Sequence, residues 1–234
     1  MKILHHKTDI AEALNTFDVE DSIGLCFYNG VVDTPFVVAA RQAGYVCDRL
    51  VLVNLAKPTN QTTQNLMKRI GADLLFEPQA VDIHLQGFLK DESRKLALIV
   101  MSLFQFMPLT VTVAENALPL IQILKNLSDD FGHPFELTVK QTPHHLLNAQ
   151  QKKVRAAVLP MLDLLQSGEA DMTELVSMLK KSMEVHQIQL DHVQFYDADT
   201  YEACYGVVSP SCYVAVDCHV AGQPVHDIFT MTDL

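Results

Sequence analysis

The stretch that decides the fold is Ser22-Ile-Gly-Leu-Cys-Phe-Tyr28, an apolar run that ends at Asn29-Gly30. Residues 37–45 then have the pattern of a helix that ends near Gly44. A second apolar run at 50–55, helical spacing over 61–70 and a third run at 73–76 continue the alternation. Strand, helix, strand, helix and strand at this spacing predict a parallel sheet with right-handed crossovers.

The rest of the chain predicts a boundary near residue 141. Up to that point the alternation continues, with helices at 90–106 and 118–127 and strands at 109–113 and 135–140. After Pro143 the pattern changes to two amphipathic helices, the first capped by Asn148, and then to strands at 192–196 and 212–216. We therefore predict an α/β fold: a Rossmann-like open parallel sheet in residues 1–141, followed by a smaller α+β domain in residues 142–234.

Composition excludes several classes of function. The chain of 234 residues has 17 basic and 28 acidic side chains, a formal charge of -11, which argues against nucleic acid or a membrane surface as a partner. It has no apolar run of about 18 residues and no long apolar segment at its N-terminus, so we predict a cytoplasmic protein without membrane spans. The five cysteines are scattered, which favours a role in the core over disulfides or a zinc site.

In an open parallel sheet, ligands bind at the carboxyl ends of the strands, where the strand order reverses. Here the first predicted strand ends in Phe27-Tyr-Asn-Gly-Val-Val-Asp-Thr-Pro-Phe36. This segment, with four others, resembles the pantothenate synthetase (pantoate:β-alanine ligase) family of the nucleotidyltransferase α/β superfamily. The other matching segments are Cys47-Asp-Arg-Leu-Val-Leu-Val53, Leu55-Ala-Lys-Pro-Thr-Asn-Gln61, Gly71-Ala-Asp-Leu-Leu-Phe-Glu-Pro78 and Gln194-Phe-Tyr-Asp-Ala-Asp-Thr200.

The resemblance fails at the motifs that carry the family's chemistry. The two histidines of the family's H-x-G-H, which donate to the phosphates of ATP, fall at Asp33 and Phe36, and the glycine falls at Pro35. In the family's F-G-x-K-D-x-Q-Q, the lysine position is Asn116. The aspartate and glutamine positions of that motif are Ala117, Pro119 and Leu120.

Two further family segments are reduced. The R-P-G-H-F-x-G segment retains at most Arg94 as a basic group, and the S-S-R-N loop falls in a gap where Pro143-His144-His145 stands. The aromatic end of F-V-N-P-x-Q-F is lost, leaving Asn60 and Gln61. An acidic side chain and a phenyl ring supply no hydrogen-bond donor to phosphate.

Several residues remain as candidate ligand contacts. If a small-molecule site persists, we expect it in the interdomain crevice near Gly30, Asp33, Pro58 and Asn116; the full set of candidates also includes Asn60, Arg94, His144 and His145. Asp33 before a helix is most simply an N-cap, and His144-His145 is most simply a solvated loop, although a metal or phosphate role is open for both. No metal site and no catalytic residue is assigned.

Three interpretations of function follow. The first is a homologue that has lost or nearly lost ligase activity and acts as a binding, regulatory or structural partner, with a homodimer through the first domain implied by the resemblance. The second is an ATP- and Mg-dependent pantoate:β-alanine ligase, or a related ligase, whose missing donors are replaced by Arg94, Lys57 or His144-His145. The third is a protein that binds an acyl or nucleoside ligand without turnover.

Overall fold

The computed structural model describes residues 1–56, 59–77, 91–198, 200 and 202–230, without the side chains of residues 91–93 and 118–119. The chain divides into two compact units, Met1–Thr142 and Pro143–Leu234. Within the described residues no helix is long and apolar enough to cross a membrane. The same residues contain no group of three or more His, Cys, Asp or Glu side chains that would hold a metal ion.

The first unit alternates strands and helices, as the sequence predicts. Its described elements are β1 (Lys2–Leu4), α1 (Thr8–Leu14), β2 (Ile23–Tyr28), α2 (Thr34–Val46), β3 (Arg49–Asn54), α3 (Gln61–Ile70), β4 (Leu74–Phe76), α4 (Asp91–Phe106), β5 (Thr110–Ala114), α5 (Leu118–Phe131) and β6 (Glu136–Lys140). The strands form a parallel sheet in the order β1-β4-β3-β2-β5-β6. This is a Rossmann-like open parallel sheet, as predicted.

The strand order reverses between β2 and β5. From β2 the chain builds outward through β3 and β4, and it then returns to place β5 on the other side of β2. The carboxyl ends of β2 and β5 therefore lie side by side at the switch point, where an open α/β sheet binds its ligands.

Local sequence explains how the first unit's helices begin and end. Asp33 caps α2 and Asn60 caps α3, each by accepting a hydrogen bond from a backbone N–H in the first turn. Gly71 ends α3 in the left-handed conformation, with φ of 99°. A core of buried residues that includes Ala39 and Leu52 packs α2 against the sheet.

The second unit is α+β. It contains a 3-10 turn (His144–Leu146), two helices, α6 (Ala149–Gln166) and α7 (Met172–Val185), and the strands β7 (Ile188–Tyr196), β8 (Tyr213–Val220) and β9 (Gln223–Phe229). The strands pair antiparallel in the order β7-β8-β9. Asn148 caps α6 as predicted, in a capping box with Gln151. The apolar faces of both helices and the sheet form one core around Met161, Leu179 and Phe195.

The sequence did not predict β1 and β9. β1 has three residues, of which only Leu4 is buried, so it is too short to show a period. β9 ends in Asp227-Ile-Phe229 with all three residues buried. The adjacent polar residues His226 and Asp227, of which Asp227 is buried, hide the alternation expected of a strand.

The cysteines are core residues, as predicted. Cys26, Cys212 and Cys218 are buried, and Cys47 and Cys204 are partly buried. Burial raises the pKa of the Cys212 thiol to about 12 and that of Cys218 to about 11. A nucleophilic cysteine needs a thiolate, which a raised pKa disfavours. Asp217 and His219 flank Cys218 in the sequence, but their side chains bond elsewhere, Asp217 to His226 and His219 to Asp191. Asp217-Cys218-His219 therefore does not form a nucleophile-base pair.

Candidate functional site

Asp33 and Asn116 link the loops that follow the carboxyl ends of β2 and β5. The resemblance assigns phosphate-binding residues to these two positions. Asp33 Oδ1 accepts a hydrogen bond from the Phe36 backbone N–H at 2.9 Å, and its Oδ2 accepts one from Asn116 Nδ2 at 3.0 Å. Both carboxylate oxygens are thus used in structural hydrogen bonds. The sequence predicts the cap, but only the structure brings Asn116 to it.

Phe36 fills the space beneath the first turn of α2. Its side chain is buried, and its ring centroid lies 5.1 Å from that of Tyr28 at the end of β2. An aromatic pair at this distance contributes packing energy and no hydrogen-bond donor. The position that the resemblance assigns to a phosphate-binding histidine is therefore part of the core.

Gly30 allows the loops after β2 and β3 to approach each other. It has a positive φ of 75°, and a Cβ at this position would lie 2.9 Å from the Cβ of Ala56. The Leu55 N–H donates to the Tyr28 carbonyl at 2.8 Å, which ties the same two segments together. Any larger residue at position 30 would need a strained backbone and a displaced neighbour.

A buried polar cluster that the sequence analysis missed lies at the ends of β2, β3 and β4. Glu77 Oε1 accepts hydrogen bonds from Asn54 Nδ2 at 3.0 Å, from the Thr59 N–H at 3.0 Å, from Thr59 Oγ1 at 2.6 Å and from the Tyr28 hydroxyl at 3.3 Å. Glu77 is 3% exposed, and Asn54 is 1% exposed. The signal for this cluster is present in the sequence, because Asn54 and Glu77 are polar residues that directly end or follow apolar strands.

Glu77 also influences Tyr28. Burial, and next the negative charge of Glu77, raise the pKa of Tyr28 well above its ordinary value. The tyrosine is therefore a neutral hydroxyl that donates to the carboxylate. Glu77 Oε2 is buried and has no hydrogen-bond partner within the described part of the chain.

The remaining candidates lie on separate elements of the two units. Asn60 is a helix cap, accepting from the Thr63 N–H at 2.9 Å, and Pro58 lies outside the described residues. Arg94 is in the first turn of α4; its Nε is buried and has no partner among the described residues. His144 and His145 form an exposed 3-10 turn at the start of the second unit.

Replacing Asp33 with alanine tests how much its hydrogen bonds to Phe36 and Asn116 stabilise the protein. We expect the free energy of unfolding to fall by about 2 kcal/mol, since about 1 kcal/mol comes from the cap and about 1 kcal/mol from the bond to Asn116. Asp33→Ser is the matched control, because serine keeps the cap but is too short to reach Asn116, and it is expected to cost about half as much. Urea unfolding followed by circular dichroism measures both; equal losses in the two variants would contradict a contribution from Asn116.

Comparisons with known proteins give structural matches only. No family model matches the chain, and no curated protein sequence matches it. Two crystal structures of pantothenate synthetase from Thermus thermophilus superpose with TM-scores of 0.73 and 0.72, at 14% and 13% identity, each over 99% of both chains.

A third solved structure extends this similarity to another organism. Pantoate-β-alanine ligase from Francisella tularensis, complexed with beta-gamma ATP and β-alanine, matches with a TM-score of 0.63 at 14% identity, over 99% of this chain and 98% of that one. Near-complete coverage in both directions means that the likeness includes both units. The chain has the fold of the pantothenate synthetases.

Proposed function

We propose that this chain is a pantothenate synthetase homologue that lacks ATP-dependent ligase activity and acts as a binding, regulatory or structural partner. The observation that carries the proposal is the hydrogen bond of 3.0 Å between Asn116 and Asp33. By the resemblance, these two positions would hold a lysine and a histidine that contact phosphate. In this chain, the Asn116 amide and the Asp33 carboxylate form a hydrogen bond with each other instead.

Electrostatics and packing at the switch point support the same conclusion. Asp33 places a carboxylate at the N-terminus of α2, where a triphosphate would otherwise be attracted by the helix dipole. Phe36 is buried on Tyr28 and offers no donor. Each donor to a developing charge is worth about 2.7 to 4 kcal/mol at the transition state, so the loss of several lowers the rate by many orders of magnitude.

Two measurements on the intact protein test this proposal. With pantoate, β-alanine, ATP and Mg²⁺, we expect no pantothenate above background, with the Thermus thermophilus enzyme as the positive control. In thermal unfolding we expect ATP with Mg²⁺ to leave the melting temperature unchanged, whereas ligand at about five times its Kd would stabilise the protein by about 1 kcal/mol. Turnover at the rate of the positive control would refute the proposal.

The surroundings of Arg94 support one alternative function, an ATP-dependent pantoate:β-alanine ligase with substituted active-site residues. Its buried Nε has no hydrogen bond to a described residue, and α4 begins at the carboxyl edge of the sheet. Under this alternative, ATP with Mg²⁺ raises the melting temperature of the wild type, and Arg94→Gln abolishes that shift. If the wild type shows no shift, the alternative is rejected without reference to the variant.

Two further predictions belong with this proposal: a homodimer through the first unit, which the resemblance implies, and a cytoplasmic location, which the apolar pattern of the sequence predicts. Sedimentation velocity tests the first of these, since a dimer has twice the mass of 26.1 kDa. Fractionation of cells that produce the full chain tests the second.

A further inference from the structure

The opposite edge of the first unit's sheet carries an exposed surface that the proposed function does not use. It consists of the segments that precede β2, β3, β5 and β6, with the ends of the helices leading into them: residues 14–23, 45–49, 104–109 and 129–135. We call this surface the amino edge. It is remote from Asp33, because Asp33 follows the carboxyl end of β2 and the amino edge precedes its start.

One half of the amino edge is an apolar groove. A depression of about 330 Å³ lies between Ile23 at the start of β2, Met107 and Leu109 before β5, and Pro134 before β6. Met107 and Leu109 are each 60% exposed, and Phe131, whose ring centroid lies 5.4 Å from that of Phe104, is 56% exposed. Met107 also has a φ of 44°, a left-handed conformation that disfavours a side chain.

Exposed apolar side chains are concentrated at this edge. Ten large apolar residues of the first unit are exposed among those that the structure describes, and seven of them lie at the amino edge. These seven are Val19, Tyr45, Val46, Phe104, Met107, Leu109 and Phe131. Because exposed apolar residues are ordinarily scattered singly, their concentration at one edge indicates a contact surface.

The other half of the amino edge is acidic. A second depression, of about 570 Å³, is lined by Asp18, Val19, Glu20, Asp21 and Asp48. It adjoins the apolar groove, since Asp21 lines both. Arg49 pairs with Asp21 at 2.6 Å and with Asp73 at 3.7 Å, and its charge also attracts Asp18 and Asp48. Among the described residues, Asp18, Glu20 and Asp48 have no cation within ion-pair distance.

Helix ends add to the negative potential there. The helices α1, α2, α4 and α5 all end at this edge, and none has a basic residue in its last turn. In α5 the last turn instead contains Asp129 and Asp130, both exposed. A helix C-terminus carries a partial negative charge that lysine or arginine usually offsets. Cations remain on this side of the sheet, since Arg49 pairs with Asp21 and α3 has Lys68 and Arg69 in its last turn before β4. The ends of α1, α2, α4 and α5 have none.

We propose that the amino edge binds a partner protein through a cationic amphipathic segment. Its apolar side chains enter the groove at Met107 and Leu109, and its lysine or arginine side chains meet Glu20 and Asp48. A second copy of this chain fits poorly, because it would bring the same acidic surface and a net charge of -11 against an identical one. Charge complementarity therefore selects a basic partner.

Binding of model peptides to the full chain tests the proposal. The probes are a helical peptide of about 18 residues with one leucine face and lysine elsewhere, its counterpart with glutamate for lysine, and a scrambled lysine peptide. We expect the amphipathic lysine peptide alone to bind in fluorescence anisotropy, with affinity falling as salt rises. Hydrogen exchange is expected to slow at residues 18–23 and 107–110 of the protein.

Matched variants separate the amino edge from a general charge effect. Glu20→Lys and Leu109→Ser are each expected to weaken binding of the lysine peptide about tenfold or more. The controls are Glu184→Lys, an equal change of charge on α7, and Leu66→Ser on α3; both residues are exposed. We expect each control to change the affinity for the lysine peptide by less than about twofold. Equal weakening by the controls, binding of the glutamate peptide, absence of binding, or self-association that Leu109→Ser abolishes would each overturn the proposal.

Discussion

Replacing Glu77 with leucine is expected to lower the free energy of unfolding by about 3 kcal/mol or more. The variant removes the acceptor of four hydrogen bonds at a residue that is 3% exposed. Each of these hydrogen bonds contributes about 0.5 to 1.5 kcal/mol net, and a bond to a charged acceptor contributes more, so the loss of four accounts for the expected change.

Glu77→Gln is the control for this prediction. Glutamine keeps an acceptor at the Oε1 position, and its amide nitrogen takes the place of Oε2, which has no partner within the described residues in the wild type. We expect this variant to cost about 1 kcal/mol or less. Urea unfolding followed by far-ultraviolet circular dichroism compares the two, since the chain has no tryptophan to serve as a fluorescent reporter. A similar loss in both would show that the hydrogen bonds to Oε1 are not the cause.

The Glu77 cluster also bears on the candidate site. It joins the ends of β2, β3 and β4, and through Thr59 it fixes the residue directly before the α3 cap, Asn60. Together with the Asp33 to Asn116 bond, it gives the carboxyl edge of the sheet several polar side chains that bond to one another, although Glu77 Oε2 has no partner within the described residues.

Periodicity predicted the fold, and local chemistry predicted the caps. Apolar runs such as residues 50–55 sit on central strands with two covered faces, so their pattern is continuous and easily recognised. Asp33 and Asn148 were predicted as caps, and their capping role depends only on the next three residues. Asn60 caps α3 in the same way, although this role was not predicted. Features of this kind are encoded within a few neighbouring residues.

Contacts between distant segments were not predictable in this way. Asn116 meets Asp33 across 83 positions of sequence, and Glu77 meets Tyr28 across 49. No period or spacing encodes such pairs, because they depend on the strand order of the sheet. The resemblance identified positions 33 and 116 as substituted, but it gave no reason to expect that the two new side chains would bond to each other.

The second unit contains a further buried pair of this kind, between Arg155 on α6 and Asp227 on β9. Arg155 Nε lies 3.3 Å from Asp227 Oδ2, and Nη2 lies 3.3 Å from Oδ1; the two residues are 9% and 3% exposed. The guanidinium carbon is also 5.3 Å from the centroid of the Phe229 ring. Two guanidinium nitrogens therefore pair with the two carboxylate oxygens. This bidentate geometry compensates best for the free energy of removing an arginine from water.

Asp227→Ala is expected to lower the free energy of unfolding by about 3 to 5 kcal/mol, because it leaves a buried guanidinium without its counter-charge. The double variant Arg155→Met with Asp227→Leu is expected to lie within about 1 kcal/mol of the wild type, since neither charge then has to be desolvated. Urea unfolding of the wild type, Arg155→Met, Asp227→Leu and the double variant closes the cycle, and Asp227→Ala is measured beside them. If the double variant were as unstable as Asp227→Ala, packing rather than charge would be responsible. If the cycle behaves as expected, the pair adds little net stability, and its effect is to fix β9 against α6 in one register.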